Sequence, residues 1–320
     1  MNHVISIIVP AYNVGEFLRE CIQSIKNQTY DHWEAIIVND GSTDDTVDII
    51  QELIKDDKRF SLINQQNGGT SKARNSGIKA ATGTHLAFMD GDDFWQPTFL
   101  DEMMEAIQIM DVEMAYCGYT HLYTGGLQRG FSYPYSSGSI LIEVINGHTQ
   151  IHIGALVVKK DLVDRLGLFF TEGCLVGEDQ EFIWKLVSNT KVQAVPKELM
   201  MYRIRSGSVI KAKWNWKTHI HVFYACKRAM DYILMEARQE YDQQRLSQVL
   251  YRRVAYKLYK IIWRMIKNGY SDDARQLLDQ DECRTYLSYL DTQRLALMDK
   301  LKYKIVCSPK EILWKMARLV

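Results

Sequence analysis

Residues 84–93 read THLAFMDGDD, an apolar run of strand length that is followed at once by three carboxylates. The run is typical of a buried strand, and ligands of open α/β sheets bind beyond the carboxyl ends of the strands. Carboxylate oxygens suit Mg²⁺ and Mn²⁺, which keep open positions for substrate phosphates. The segment therefore predicts a site for a cation and a phosphorylated ligand, with an acidic turn that caps the next helix as the alternative.

The first ninety residues alternate between strand and helix patterns. Strand-like runs lie at 5–10, 35–39, 60–64 and 85–89, and helical patterns at 14–26, 45–55 and 69–80. Repeated βαβ units imply a mostly parallel sheet with helices on both faces. We therefore predict a Rossmann-like α/β domain over residues 1–212, followed by a C-terminal helical extension over residues 213–320.

The composition is that of a folded globular protein, since 47% of the 320 residues are hydrophobic and 24% are charged. Six cysteines lie far apart without C-x-x-C spacing, which argues against a zinc site or a disulfide scaffold. The N-terminus lacks a basic leader segment, and no apolar run approaches the roughly 18 residues of a membrane span. We expect a cytoplasmic protein with free thiols.

The zero net charge is unevenly divided, with −9 over residues 1–212 and +9 over residues 213–320. One helical face of the basic half carries Arg253, Lys257, Lys260, Arg264 and Lys267. Residues 308–320 begin with a capping box and continue as an amphipathic pattern. We expect peripheral contact with an anionic membrane on the inner face of the cytoplasmic membrane. Docking on a second copy of the chain, a homo-oligomer through these helices, is the alternative.

Two segments of the N-terminal half carry polar chemistry at the ends of predicted strands. Asp40 follows the second strand, where its carboxylate can accept a hydrogen bond from a ligand N–H group. Residues 67–75 read NGGTSKARN, a glycine-rich helix entry with Lys72 and Arg74 one turn in. Backbone N–H groups and these cations could cradle a phosphate, although the segment is not a P-loop.

Asp179 opens a later helical pattern together with Glu178. Acids in the first turn complement the helix dipole, and a carboxylate kept ionised there can act as a general base toward a hydroxyl. Glu178 is the secondary candidate for that role. Two further secondary candidates are Trp95, which could stack on a sugar face or fill the core, and His152.

Taken in order, these motifs resemble the family 2 glycosyltransferases, a large inverting group with the GT-A fold. The resemblance runs from residue 5 to about residue 208 and rests on VPAYN (9–13), QTY (28–30), VNDGSTD (38–44), residues 69–77, the D-x-D cluster, GED (177–179) and YR (202–203). It implies a UDP-sugar donor and a glycan or lipid-linked glycan acceptor. Bacterial surface polysaccharide synthesis, such as that of capsule, O-antigen or lipooligosaccharide, fits such an enzyme.

The resemblance also implies roles for individual residues. The uracil would be held by Pro10, Tyr12 and Asp40. Asp90 would contact the ribose or the outer shell of the cation, and Asp92 would ligate Mn²⁺ or Mg²⁺. Asp179 would deprotonate the acceptor hydroxyl in a single displacement. Gly91 and Arg203 complete the nucleotide-sugar site that the resemblance implies.

One position departs from the family pattern. Many members resemble Tyr-Arg-x-His-x-x-Ser, where the histidine can face the metal, whereas this chain has Arg205 at that place. A guanidinium cannot ligate a cation but can pair with phosphate. The resemblance therefore leaves open whether this segment contributes to metal binding.

Three other functions compete with this interpretation. A sugar nucleotidyltransferase would carry a glycine-rich, basic loop directly after the first strand, and the chain lacks one. A D-x-D phosphoryl-transfer enzyme resembles D-x-D-x-[TV], whereas Phe94 stands at the last position. A non-catalytic nucleic-acid-binding protein could use the basic tail, but no recognition motif is present and we expect no nucleic-acid partner. The sequence does not choose the sugar.

Overall fold

The computed structural model describes residues 3–123, 125–126, 128–130, 133–205, 214–236, 241–308 and 314. Backbone contacts divide the chain into two units. Unit 1 comprises Met1–Cys174 and Phe182–Ala212, and unit 2 comprises Leu175–Glu181 and Lys213–Val320. Apart from Ser308 and Trp314, the amphipathic segment predicted over residues 308–320 lies outside the described residues.

The first half of unit 1 alternates strands and helices. Its elements are β1 (Ile5–Ala11), α1 (Gly15–Lys26), β2 (Trp33–Asn39), α2 (Thr46–Ile54), β3 (Phe60–Asn64), α3 (Thr70–Ala80) and β4 (His85–Phe88). Strand β1 runs parallel to β2 and to β4, and β2 runs parallel to β3. All seven residues of β1 are buried, as expected for an apolar strand that is covered on both faces.

The second half of unit 1 extends the sheet with mixed pairings. Its elements are β5 (Phe94–Trp95), α4 (Phe99–Met110), β6 (Met114–Tyr123), β7 (Gln128–Gly130), α5 (Leu141–Asn146), β8 (Leu156–Lys159), α6 (Lys160–Arg165), α7 (Glu178–Val187) and β9 (Val192–Ile204). The strand order is β3-β2-β1-β4-β8-β6-β9-β5, with β7 on β6. The sheet is therefore mixed: β8 is antiparallel to β4 and β6, whereas β9 is parallel to β6.

The strand register places the ends of β1, β2 and β4 along one edge of the sheet. Ala11, the last residue of β1, is opposite Asn39, the last residue of β2, so the two strands end at the same height in the sheet. Strand β4 ends at Phe88, which is opposite Ile8. The residues that follow these strands therefore share the edge at which open α/β sheets bind ligands.

In unit 2 the described elements beyond residue 213 are helical. They are α8 (Trp216–Glu236), α9 (Gln243–Lys267), α10 (Ser271–Leu278), α11 (Asp281–Ser288), a short 3₁₀ turn (Thr292–Arg294) and α12 (Leu297–Val306). Helix α9 buries one apolar face that includes Val254, Leu258 and Ile262. The stretch Leu175–Glu181, which contains the start of α7, groups with these helices.

Candidate active site

The loops after β1 and β4 meet closely at the edge of the sheet. A Cβ atom at Gly91 would lie 3.3 Å from the carbonyl oxygen of Pro10 and 3.0 Å from the side chain of Val14. A larger residue at position 91 would therefore push the acidic loop away from β1. Tyr12, directly after β1, is 48% exposed and available to a planar ligand at this edge.

Asp40 anchors the glycine-rich loop that precedes α3. Its buried carboxylate accepts hydrogen bonds from the backbone N–H groups of Gly68 (3.0 Å) and Gly69 (2.8 Å) and from the side chain of Gln65 (2.7 Å). Gly69 has φ +85°, and a Cβ atom at Gly68 would lie 2.2 Å from the Lys72 side chain, so this turn requires glycine. A ligand N–H group would have to share the Asp40 carboxylate with these donors.

Arg74 lies buried against the acidic loop in this structure. The residue is 1% exposed, and its guanidinium nitrogen lies 2.7 Å from Oδ1 of Asp90. Its guanidinium carbon lies 5.1 Å from the centre of the Phe170 ring. Because the buried face of α3 carries it, Arg74 holds Asp90 in position in this structure, and its contact with a phosphate stays a prediction.

Asp92 is paired with the residue that departs from the family pattern. Its Oδ2 atom lies 2.6 Å from Nε of Arg205. Burial and the neighbouring Asp90 raise the pKa of Asp92, and the Arg205 guanidinium opposes that rise. Asp92 thus shares a confined negative site with Asp90, and Arg205 supplies the local countercharge.

Asp93 and Arg203 fix the shape of the acidic loop. Asp93 is 1% exposed and accepts a hydrogen bond from the backbone N–H of Arg203 (2.8 Å). The Arg203 side chain donates to the backbone oxygen of Asp92 (2.9 Å) and pairs with Glu20 on α1. Burial, followed by the charges of Asp92 and Asp90, raises the pKa of Asp93 well above its usual value. Arg203 is therefore a support of the loop in this structure.

The donor chemistry of Asp92 fits a hard divalent cation that the substrate helps to hold. Among the described residues, no group of three or more His, Cys, Asp or Glu side chains is placed to enclose a metal. Mg²⁺ and Mn²⁺ are often bound through one or two carboxylates, with substrate phosphates and water as the other ligands. Such a cation would have to displace the Arg205 guanidinium from the Asp92 carboxylate.

His152 packs in a group of aromatic rings with Tyr119 and His121 of β6 and Tyr202 of β9. Its ring centre is 5.2 Å from that of Tyr119 and 4.9 Å from that of Tyr202, and Tyr202 is 5.3 Å from His121. The Gly154 N–H donates to Nδ1 of His152, so the proton of the neutral ring is on Nε2. Burial lowers the pKa of His152 to about 4, although Asp90 opposes the shift.

Trp95 lies in the core and is not placed to stack on a sugar. The indole is 2% exposed, stacks on Phe99 with ring centres 4.2 Å apart, and donates to the Gly154 carbonyl oxygen at 2.7 Å. Position 95 lies on β5, which pairs with β9 and places Trp95 opposite Met200. Of the alternatives for this residue, core packing is the one that the structure supports.

Asp179 and Glu178 stand in the first turn of α7, within the segment that belongs to unit 2. Gln180, the next residue, approaches the Cys226 thiol on α8 at 3.4 Å. Glu181 is buried and receives bonds from Nε (3.0 Å) and a terminal nitrogen (2.7 Å) of Arg228 on α8. These contacts fix the backbone at the start of α7, from which the Asp179 side chain extends.

Some residues that shape the site have no local sequence pattern. Glu20 pairs with Arg203 across 183 positions, and Gln65 reaches Asp40 across 25 positions. Only the fold brings these residues together. In contrast, glycine pairs such as Gly68 and Gly69 are visible in the sequence and signal a special turn.

Comparison with known proteins identifies the family to which the chain is similar. A profile described as Glycosyl transferase family 2 matches residues 6–166. The sequence is 29% identical to "Uncharacterized glycosyltransferase EpsJ" of Bacillus subtilis (strain 168), over 72% of this chain and 70% of that protein. It is 29% identical to "Putative teichuronic acid biosynthesis glycosyltransferase TuaG" of the same organism, over 66% of this chain and 92% of that protein.

Solved structures show the same fold. A crystal structure of S. aureus TarS, residues 1–349, in complex with UDP-GlcNAc, superposes with a TM-score of 0.67 over 94% of this chain and 90% of that chain, at 16% identity. The fold is therefore of the GT-A kind, as predicted.

The chain belongs to glycosyltransferase family 2, and the protein is a glycosyltransferase. The family membership predicted from the sequence motifs is confirmed. Among its described helices, none combines the length and the apolar character that crossing a membrane requires.

Proposed function

We propose that the protein transfers a sugar from a UDP-sugar to a hydroxyl of a glycan or lipid-linked glycan, with inversion at the anomeric carbon. The observation that carries the proposal is the shared edge at which Tyr12, Asp40 and the Asp90–Asp92 loop follow three neighbouring strands. TarS has been solved with UDP-GlcNAc and with UDP, which supports a uridine nucleotide. Relatives named for teichoic and teichuronic acid synthesis support a surface polysaccharide as the product.

The proposed donor site uses an aromatic ring and carboxylates in separate roles. Tyr12 and Pro10 contact the uracil, and Asp40 binds a ring N–H while continuing to hold Gly68 and Gly69. Asp90, held by Arg74, faces the ribose. Asp92 holds Mn²⁺ or Mg²⁺, which when bound offsets the negative charge of the UDP diphosphate. Lys72, beside the glycine turn, contributes a further positive charge.

Asp179 is the proposed general base. A carboxylate in the first turn of α7 is stabilised in its ionised form by the helix dipole, so it can accept a proton from the attacking hydroxyl. The bond to the anomeric carbon forms from the opposite face as the bond to UDP breaks. An α-linked donor therefore gives a β-glycoside.

The aromatic group formed by Tyr119, His121, His152 and Tyr202 is the proposed surface for a sugar ring. Aromatic faces and an imidazole N–H provide apolar contact and one fixed donor, the combination that pyranose rings need. Residues 213–320 are proposed to contact the acceptor, an anionic membrane or a second copy of the chain.

A donor screen tests the proposal. Purified protein is incubated with UDP-Glc, UDP-GlcNAc, UDP-Gal and UDP-GalNAc, with and without Mn²⁺, and released UDP is measured. We expect slow Mn²⁺-dependent hydrolysis of at least one donor and retention of UDP by the protein. Binding of GDP-sugars with no affinity for any uridine nucleotide would contradict the proposed donor.

A further inference from the structure

The basic face of α9 is divided into two parts that the sequence pattern does not distinguish. Lys260 lies 3.4 Å from Asp299, and Arg264 lies over the Trp214 ring at 5.2 Å. Arg252, on another side of the helix, lies 3.8 Å from Asp291. These cations are each matched by an acid or an aromatic face within unit 2.

Arg253 and Lys257 are different, although they belong to the same predicted face. Both side chains are half-buried, and within the described ranges neither makes a hydrogen bond or an ion pair. The Nε atom of Arg253 is fully buried and has no hydrogen-bond partner among these residues. Burial lowers the pKa of each side chain, and the proximity of Arg253 lowers that of Lys257 further.

Two neighbouring cations with no acid between them are costly in a folded protein. Residues 253 and 257 are one helical turn apart, so their charges repel each other on the same side of α9. Removing such groups from water without a countercharge opposes folding. A bound anion would supply the missing countercharge and the hydrogen-bond acceptors.

The pair lies near the start of α7. Helix α9, which carries the pair, packs against α8, and the buried Cys226 thiol on α8 acts to raise the pKa of both Arg253 and Lys257. The same thiol contacts Gln180 at 3.4 Å, and Gln180 follows the proposed base Asp179. All of these residues are in unit 2. An anion held by the pair would thus belong to the molecule whose hydroxyl Asp179 deprotonates.

We propose that Arg253 and Lys257 bind a phosphate group of the acceptor. Arginine presents a planar fork that matches phosphate oxygens, and lysine adds a point charge. Two cations match the charge of a phosphate better than that of a single carboxylate. The inference rests on the proposed function, because it assigns the phosphate to the acceptor, and it narrows the acceptor to phosphate-bearing glycans or polyols.

Thermal unfolding with inorganic phosphate as the probe tests the site. The Tm is measured in chloride and in phosphate at equal ionic strength for five proteins. These are the wild type, Arg253→Gln, Lys257→Gln, the double variant and the control Lys260→Gln. We expect phosphate to raise the Tm of the wild type and of Lys260→Gln by at least about 2 °C, because a ligand that binds the folded state stabilises it. The double variant should lose that rise and, in chloride, melt at or above the wild-type Tm.

Several results would overturn the inference. An equal phosphate effect in the double variant would place the anion elsewhere, and an equal effect of acetate would make it non-specific. A double variant that melts well below the wild type in chloride would make the pair structural. Sedimentation with phosphatidylglycerol vesicles that depends on the pair, without a phosphate effect, would assign it to a membrane. Wild-type binding of UDP, measured by calorimetry, tests the proposed function separately.

Discussion

Oδ2 of Asp92 lies 2.6 Å from Nε of Arg205, so the carboxylate proposed to hold a metal forms an ion pair with a guanidinium in this structure. Arg205 also lies over the Phe17 ring at 5.5 Å, beside Arg203. A divalent cation bound at Asp92 would therefore have to displace the Arg205 guanidinium, which could then pair with a phosphate group of the donor.

Arg205→Gln should tighten Mn²⁺ binding in the absence of nucleotide. The substitution removes the competing cation and leaves Asp90 and Asp92 with less countercharge. Because the pair is partly exposed, we expect a gain of about three- to tenfold, on the order of 1 kcal/mol. Free Mn²⁺ is measured by electron paramagnetic resonance during titration.

The matched control for that titration is Arg19→Gln. Arg19 forms an exposed ion pair with Glu52 on the neighbouring helix. Its loss should leave Mn²⁺ affinity unchanged. Weaker Mn²⁺ binding in Arg205→Gln than in the wild type would show that Arg205 supports the metal site and does not compete with it.

Asp40→Asn should destabilise the protein as well as weaken UDP binding. The amide nitrogen cannot accept from Gly68 or Gly69, so one part-buried backbone N–H loses its partner. We expect a loss of about 1–3 kcal/mol in the free energy of unfolding. Urea denaturation measures it. Wild-type stability in this variant would mean that the loop does not depend on the carboxylate.

Stability should fall as the pH falls from about 6.5 to about 4, partly because of His152. The ring has a pKa of about 4 in the folded protein, below its value of 6.5 in an unfolded chain, so the unfolded state binds the proton first. The contribution of His152 is complete above pH 6.5 and is lost toward pH 4. Urea denaturation at pH 7 and pH 4.5 measures the difference.

His152→Gln should therefore show a smaller loss of stability between these two pH values than the wild type. His148→Gln, at an exposed position, should behave as the wild type does. His85 also has its pKa lowered to about 4 by burial, so part of the loss persists in His152→Gln. An unchanged pH dependence in His152→Gln would contradict the assignment of a partly buried neutral ring.

Arg228→Gln should reduce activity through the backbone that carries Asp179. The substitution leaves the buried Glu181 carboxylate without its guanidinium, which destabilises the start of α7 by about 2 kcal/mol. Arg228 is a positioning residue, so we expect kcat to fall while UDP affinity stays constant. Glu181→Gln combined with Arg228→Gln should recover part of the stability. Equal losses in the single and double variants would refute the pairing.

The strands of the first ninety residues were the most predictable part of the fold. Short apolar runs predicted β1 to β4, and each predicted end lies within two residues of the observed one. The acidic loop was also visible, because its residues are adjacent in the sequence. The sequence could not show that Arg74 lies beneath Asp90, since the buried side of α3 is set by Phe170 and Asn75, which meet across 95 positions.

The basic face of α9 shows a second limit of sequence patterns. Helical spacing correctly groups Arg253, Lys257 and Lys260 on one side of the helix. The pattern does not indicate which of these positions a neighbouring helix covers. Lys260 pairs with Asp299, whereas among the described residues no acid pairs with Arg253 or Lys257. Tertiary contacts therefore give these three side chains different surroundings although they share one helical face.

The most direct test of the central claim is the transfer rate of Asp179→Asn, measured with its UDP affinity and compared with Glu178→Gln and Asp92→Asn. We expect Asp179→Asn to lose transfer by about 10²-fold or more while it binds UDP as the wild type does. Asp92→Asn should lose transfer together with metal-dependent UDP binding, and Glu178→Gln should keep most of both. Full transfer by Asp179→Asn would show that Asp179 is not the general base.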